Sequence, residues 1–288
     1  MESTELQLRV EHLAGCMALS RSASWNQNEA DWRLMLGFGR GWGIAAADGT
    51  LAASTLALPY GADFAWIAMV LVLPEHRRQG YASRLLRVAL AEMEKQKRVA
   101  LLDATPAGHA VYVQEGFRDF WGFKRFSSSK VANLGSARKK FQDLQAAHWP
   151  QVLALDATAF GGSREVVLRN LAARQPKTAL VVERDGELAG FVLGREGRAA
   201  LQIGPLVARD DETACDLLGA ALARAGAPPA PAAPVYVDIA DHAAALQAWA
   251  LAQGFEVQRP FTRMAHGPRG YAPGDATLVY CPAGPELG

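Results

Sequence analysis

Between Val70 and Leu90 the chain reads VLVLPEHRRQGYASRLLRVAL: strand-forming residues, a proline, two arginines, and a lone glycine, Gly80, opening a segment of helical pattern. A strand that enters a helix through a glycine-containing turn leaves several backbone N–H groups unpaired at the helix start. Those groups and the positive end of the helix dipole attract phosphate. Gly80 lets the backbone approach a ligand closely, Arg77 and Arg78 add charge, and Ala82 is small enough not to obstruct. The chemistry expected is retention of a pyrophosphate. Other glycine-rich readings fail, because there is no GxGxxG opening a βαβ unit and no GxxxxGK followed by Ser or Thr. Nor is there the aromatic and basic alternation that suits single-stranded nucleic acid.

The surrounding elements must position this loop. Residues 7–36 read as two short helices interrupted at SRSASWNQN, and WGIAAADGTLAASTLAL reads as a hairpin turning at Asp48-Gly49. DFAWIAMVLVLP is apolar at nearly every position, as expected of a strand buried on both faces. From Ala82 to Lys95 the apolar stripe Leu85, Leu86, Val88, Ala89 and Met93 marks a helix with Arg84, Arg87, Glu92 and Glu94 outside it. RVALLDAT then reads as a strand, AGHAVYVQEGF as a short helix closed by Gly116, and RDFWGFKRF as a terminal strand.

The same order of elements recurs. ALVVERDGELAGFVLG is a second hairpin turning at Asp185-Gly186, and PVYVDIADHAAALQAWALAQGF matches RVALLDATPAGHAVYVQEGF as strand, helix and closing Gly-Phe. Two copies of one fold are expected, over 1–128 and 141–288, with a linker at about 129–140. GAPPAPAAP reads as a stiff solvated loop inside the second copy. Where the first copy has PEHRRQGYA the second has VARDDETACDLL, whose Asp210, Asp211 and Glu212 favour a helix start and repel a pyrophosphate. Ala250 stands where the first copy has Tyr112.

The pattern Arg77-x-x-Gly80-x-Ala82 after a strand ending in Val-x-Pro, with VYVQEGF about thirty residues on, resembles the GNAT superfamily of acyl-CoA-dependent N-acyltransferases. The resemblance implies an α+β fold, two tandem GNAT folds each with a mixed, mostly antiparallel central sheet flanked by helices. It implies that backbone groups of Val70, Leu71 and Val72 hold the pantetheine arm and acyl carbonyl of acetyl-CoA, and that Arg77, Arg78, Gln79, Gly80, Tyr81, Ala82 and Ser83 cradle the pyrophosphate. Tyr112 matches the family tyrosine that protonates the thiolate leaving group. Asp63, at the start of its strand, and His109, three residues before Tyr112, are candidates for the base, with Asp103 at the end of the preceding strand. The family often has an asparagine in the segment that here reads DATPAGHAVY. Trp25, Asn26, Trp32 and Trp121 are candidates for the acceptor pocket, or for core.

LDATAFGGSREVVL, IGPLVA and FTRMAHG are similar to bacterial two-domain acetyltransferases with a degenerate second GNAT domain. Asp156, Phe160, Arg164, Arg263 and His266 are that half's candidates for a ligand, or for caps and ion pairs. The activity implied is direct acetyl transfer from acetyl-CoA to the amine of a small-molecule acceptor, without a metal. The alternatives are a protein-amine acetyltransferase and a non-catalytic acyl-CoA or nucleotide sensor.

Composition bounds the rest. Thirty Lys and Arg against 29 Asp and Glu give a formal charge of +1, which disfavours nucleic acid and anionic membranes as partners. Cys16, Cys215 and Cys281 are too few and too scattered for a disulfide framework or a CxxC metal site. MESTELQLRV carries no apolar signal core and Phe64 to Pro74 is too short to span a bilayer, so a cytoplasmic protein is expected. Monomer and homodimer are both compatible with the sequence.

Overall fold

A computed structural model describes residues 4–129, 141–226, 234–268, 271 and 273–288. The chain forms two compact units: the first comprises 1–120 with 263–271 and 287, the second 121–262 with 272–286 and 288. These are not the expected boundaries. Residues 121–128 belong to the second unit, where β6 pairs with β11, and 263–271 to the first, where the end of β12 neighbours β5. The expected linker, from 130 onward, lies outside the described residues, as does 227–233 of the proline-rich loop.

In the first unit the strand order is β1 (Thr4–Leu8), β2 (Arg40–Ala45), β3 (Leu51–Tyr60), β4 (Phe64–Val72), β5 (Val99–Ala104), then the last residues of β12 (Glu256–His266). The pairs from β1 to β4 are antiparallel and β4 with β5 is parallel. The helices are α1 (Leu13–Ser22), α2 (Glu29–Phe38), α3 (Tyr81–Lys95) and α4 (Pro106–Gln114). The α3 stripe buries Leu86, Ala89 and Met93 against Ala57 of β3, Ala65 and Ile67 of β4, and Phe117. Each large side chain removed from water there contributes roughly 2 kcal/mol. Asn28 caps α2 reciprocally with Asp31, and Thr105 caps α4 by accepting from Gly108 N at 3.2 Å.

In the second unit β6 (Arg118–Ser128) pairs with β11 (Val235–Ala240), followed by β10 (Leu201–Ala208), β9 (Glu187–Glu196), β8 (Leu180–Arg184) and β7 (Gln142–Asp143). Its helices are α5 (Trp149–Phe160), α6 (Glu165–Arg174), α7 (Asp211–Ala225) and α8 (Ala244–Ala252), in the order of those in the first unit. The short strand β13 (Val279–Cys281) pairs antiparallel with β10. Three buried carboxylates are neutralised within this unit: Arg125 binds Asp238 and Arg164 binds Asp156, each bidentately at 2.7–3.0 Å, and Arg195 binds Glu286. No helix among the described residues is long and apolar enough to cross a membrane.

Candidate active site

Strand β4 is bent at its end. Ser54 stands opposite Leu71 and Leu56 opposite Ala68, so Met69 and Val70 together face one residue of β3. Met69 sits at φ 52°, and Ser54 Oγ donates to its carbonyl at 2.7 Å. Such a bulge increases the local twist and turns the strand away from its neighbour. Accordingly β4 and β5 stay in register only from Phe64 to Trp66 against Val99 to Leu101. Beyond Trp66 the strands part and no longer pair with each other. Leu73 N donates to Ala52 O, so by the alternation of a strand Leu71 also turns its backbone to β3, while Val70 and Val72 turn theirs to the fork. Val70 and Val72, rather than Leu71, therefore turn backbone groups toward the fork, where Val72 O accepts from Arg77 Nε.

After the single 3-10 turn Pro74–His76 the loop curls. Arg78 and Gly80 take left-handed conformations, φ 60° and 76°, and Gly80 is the N-cap of α3 with no side chain capping the helix. Arg77, Arg78, Gln79 and Gly80 are exposed, and a Cβ built on Gly80 would meet nothing within 4 Å. The curl lies at the positive end of a fifteen-residue helix, a geometry that suits an anion. Arg77 reaches back through Nε to Val72 O at 3.3 Å, so its charge lies at the mouth of the fork. Ser83 is committed elsewhere, hydrogen-bonding Glu115, whose carboxyl is also held bidentately by Arg87 at 2.8 and 2.9 Å. The Arg87 bonds hold Glu115 below the usual carboxylate range despite its burial.

Tyr112 lies on α4, partly buried against the core that contains Leu102, Ala104 and Phe117, with its ring edge-on to Phe117 at 5.9 Å. Val70, at the fork, packs on the same core. Desolvation pushes the Tyr112 phenol well above its ordinary range, so it keeps its proton and is available as a donor. His109 is paired through Nε2 with Asp119 at 2.8 Å, on the exposed side of the helix. Asp63 does not join this site. It lies in the turn before β4, and seven residues of strand at about 3.3 Å each place it roughly 20 Å from Val70.

The acceptor candidates divide. Trp25 is half-buried and Asn26 buried in the segment between α1 and α2. Trp32 is core, fully buried with Nε1 donating to Ser20 Oγ at 2.9 Å, because its position on α2 faces the sheet. Trp121 belongs to the second unit, where it packs on Phe123 and His242. In the sequence Asp103 and Arg263 fall in different halves of the repeat. In the structure both belong to the first unit, and Arg263 binds Asp103 bidentately at 2.8 and 2.9 Å. Only the strand exchange brings them together, and no local pattern announces it.

The second unit repeats the fork and then closes it. β10 and β11 are in register only from Leu201 to Ile203 against Val235 to Val237, and beyond that point β13 pairs with Leu206 and Val207 of β10. Gly204 permits this closure: a Cβ there would lie 2.2 Å from Pro282 O. The helix start is occupied as well. Asp210 caps α7 by accepting from Thr213 N at 2.8 Å and is bound by Arg184 at 2.6 Å. Burial works to raise the Asp210 pKa, but the Thr213 and Arg184 bonds outweigh it and the net shift is downward. The cap's contribution is therefore complete above the unfolded carboxylate range and is lost as pH falls through the folded value. Asp210→Ala is expected to cost about 1 kcal/mol at pH 7. Its denaturation midpoint should converge with the wild type toward pH 3, and a gap unchanged by pH would refute the assignment.

The fork, the uncapped helix start and the partly buried Tyr112 make up the candidate site of the first unit. The model described as acetyltransferase (GNAT) family matches residues 9–117, and the one described as acetyltransferase (GNAT) domain matches 152–280. The chain belongs to the GNAT superfamily as a two-domain N-acetyltransferase. It is 26% identical over 223 residues to YitH, an uncharacterized N-acetyltransferase of Bacillus subtilis, covering 74% of this chain and 76% of that one. In fold it is similar to a candidate acetyltransferase from Pyrococcus horikoshii, with TM-score 0.78 and 18% identity over 99% of this chain and 96% of that one. It is also similar to a tandem GNAT protein from the clavulanic acid biosynthesis pathway, with TM-score 0.62 and 18% identity over 93% and 99% of the two chains. No group of His, Cys, Asp and Glu able to hold a metal ion occurs among the described residues.

Proposed function

We propose that the first unit transfers an acetyl group from acetyl-CoA to the amine of a small-molecule acceptor, inside the cell, and that the second unit binds no acyl-CoA. The observation that carries this reading is the contrast between two equivalent places. The α3 start is uncapped, exposed and flanked by arginines, whereas the α7 start is filled by Asp210 and Arg184 and its fork by β13.

Acetyl-CoA fits the first site by chemistry: the curl at Arg78 to Gly80 suits its pyrophosphate, and the parted strands suit an amide-bearing arm. Val70 and Val72 would orient that arm through backbone hydrogen bonds and polarise the thioester carbonyl. The neutral acceptor nitrogen then forms a bond to the carbonyl carbon, giving a tetrahedral intermediate. As the C–S bond breaks, Tyr112 donates its proton to the departing sulfur, and the nitrogen loses its own proton to water. His109, engaged by Asp119 on the outer side of α4, is not assigned to the base.

Calorimetric titration with acetyl-CoA tests the reading. One site per chain, of micromolar affinity, is the expected result. Two sites would refute the closure of the second unit, and no binding would refute the cofactor. A protein-amine acceptor has no observation of its own in its favour, so small amines come first in an acceptor screen.

A further inference from the structure

Arg263 stands at the point where β4 and β5 part. Its guanidinium lies over the Trp66 ring at 4.5 Å from the centroid, and Trp66 is the last residue of β4 still in register with β5. Nε and Nη2 of the same group bind both oxygens of Asp103, two residues past Leu101, the last in-register residue of β5. One planar cation thus touches the final paired residue of one strand and the first polar residue beyond the fork on the other. The Arg263 and Asp103 side chains are only 5% and 0% exposed, so solvent neither screens the pair nor competes with it.

We propose that Arg263 is a positioning residue for acetyl transfer, setting the separation of β4 and β5 and hence the slot in which Val70 and Val72 receive the acyl-bearing arm. This inference rests on the cofactor reading above. A bidentate fork stacked on an indole fixes distance and angle together, which a lysine at the same place would not do. The residue reaches the first unit from late in the chain, so a catalytic slot formed in the first hundred residues is gauged by a strand from the other end of the sequence.

The test separates the arm from the nucleotide. Binding of acetyl-CoA and of 3′,5′-ADP, which lacks the pantetheine arm and the thioester, is measured by calorimetry for the wild type, Arg263→Lys, and the double variant Asp103→Leu with Arg263→Met. The double variant removes both charges together, leaving no unpaired buried ion. The expected result is an acetyl-CoA affinity about tenfold weaker in the double variant, with Arg263→Lys intermediate, while 3′,5′-ADP binds all three proteins equally. Undiminished acetyl-CoA binding in either folded variant would overturn the proposal. Parallel loss of both ligands would also overturn it, by showing general damage. Should the double variant not fold, Arg263→Lys alone decides by the same criterion. Failure of the wild type to bind acetyl-CoA would instead remove the cofactor reading, and this inference with it.

Discussion

Gly80→Asp should abolish measurable acetyl-CoA binding, a loss of at least about 100-fold, or roughly 2.7 kcal/mol, while leaving the fold intact. Gly80 caps α3 with no side chain over the helix start, and space is open around it. An aspartate there would place a carboxylate where a pyrophosphate must lie. Two unit charges about 4 Å apart repel by roughly 1 kcal/mol in bulk water and about 4 kcal/mol near a protein surface. Stability should hardly change. The left-handed conformation costs an L-residue about 1 kcal/mol, with aspartate among the better tolerated, and a negative charge at a helix start offsets part of that. Gly80→Ala is the control, introducing the same backbone strain without the charge, and should lose only a few-fold in affinity. The substitution in effect imitates the second unit, where Asp210 already occupies the corresponding place. Retention of micromolar binding by Gly80→Asp would show that the loop is not the phosphate cradle.

Tyr112→Phe should lower turnover by about 100-fold or more with acetyl-CoA affinity unchanged. The aromatic contact with Phe117 survives the change, and only the proton donor is lost. Burial raises the phenol's pKa, so the donor form persists through and beyond the ordinary tyrosine range. The wild-type rate should therefore show no alkaline fall attributable to this group below about pH 10. The rate of thiol release with an amine acceptor, followed from pH 6 to 10, checks both points. Equal rates for the two proteins would assign Tyr112 to the core alone.

The loop and its helix were legible because the chemistry there is local: Gly80, two arginines and an amphipathic stripe lie within twenty residues. The internal repeat was legible for the same reason, since each copy carries its own hairpin turn and closing Gly-Phe. The bulge at Met69 was not, because nothing in DFAWIAMVLVLP distinguishes a continuous strand from one that gives two residues to one partner. Asp63, at the start of its strand, is separated from the fork by most of the length of β4, a distance that its residue type does not reveal. β13 escaped notice because a three-residue strand has no periodicity, and its role depends on a fork that only the fold creates. The placing of 121–128 and 263–271 is a long-range choice of partner, and residue patterns alone do not specify which strand another will pair with.

That exchange also sets an order of assembly. β5 has β12 as its neighbour on the side away from β4, so β5 lacks that partner until residues beyond 263 have emerged from the ribosome. At about 5–20 residues per second the nascent first half waits several seconds or more with a row of unpaired backbone groups exposed. The N-terminal half is thus a domain by sequence but not by synthesis. Its completion is deferred until the residues of that strand have been made, and any truncation of the chain before it removes part of the first unit as well as part of the second.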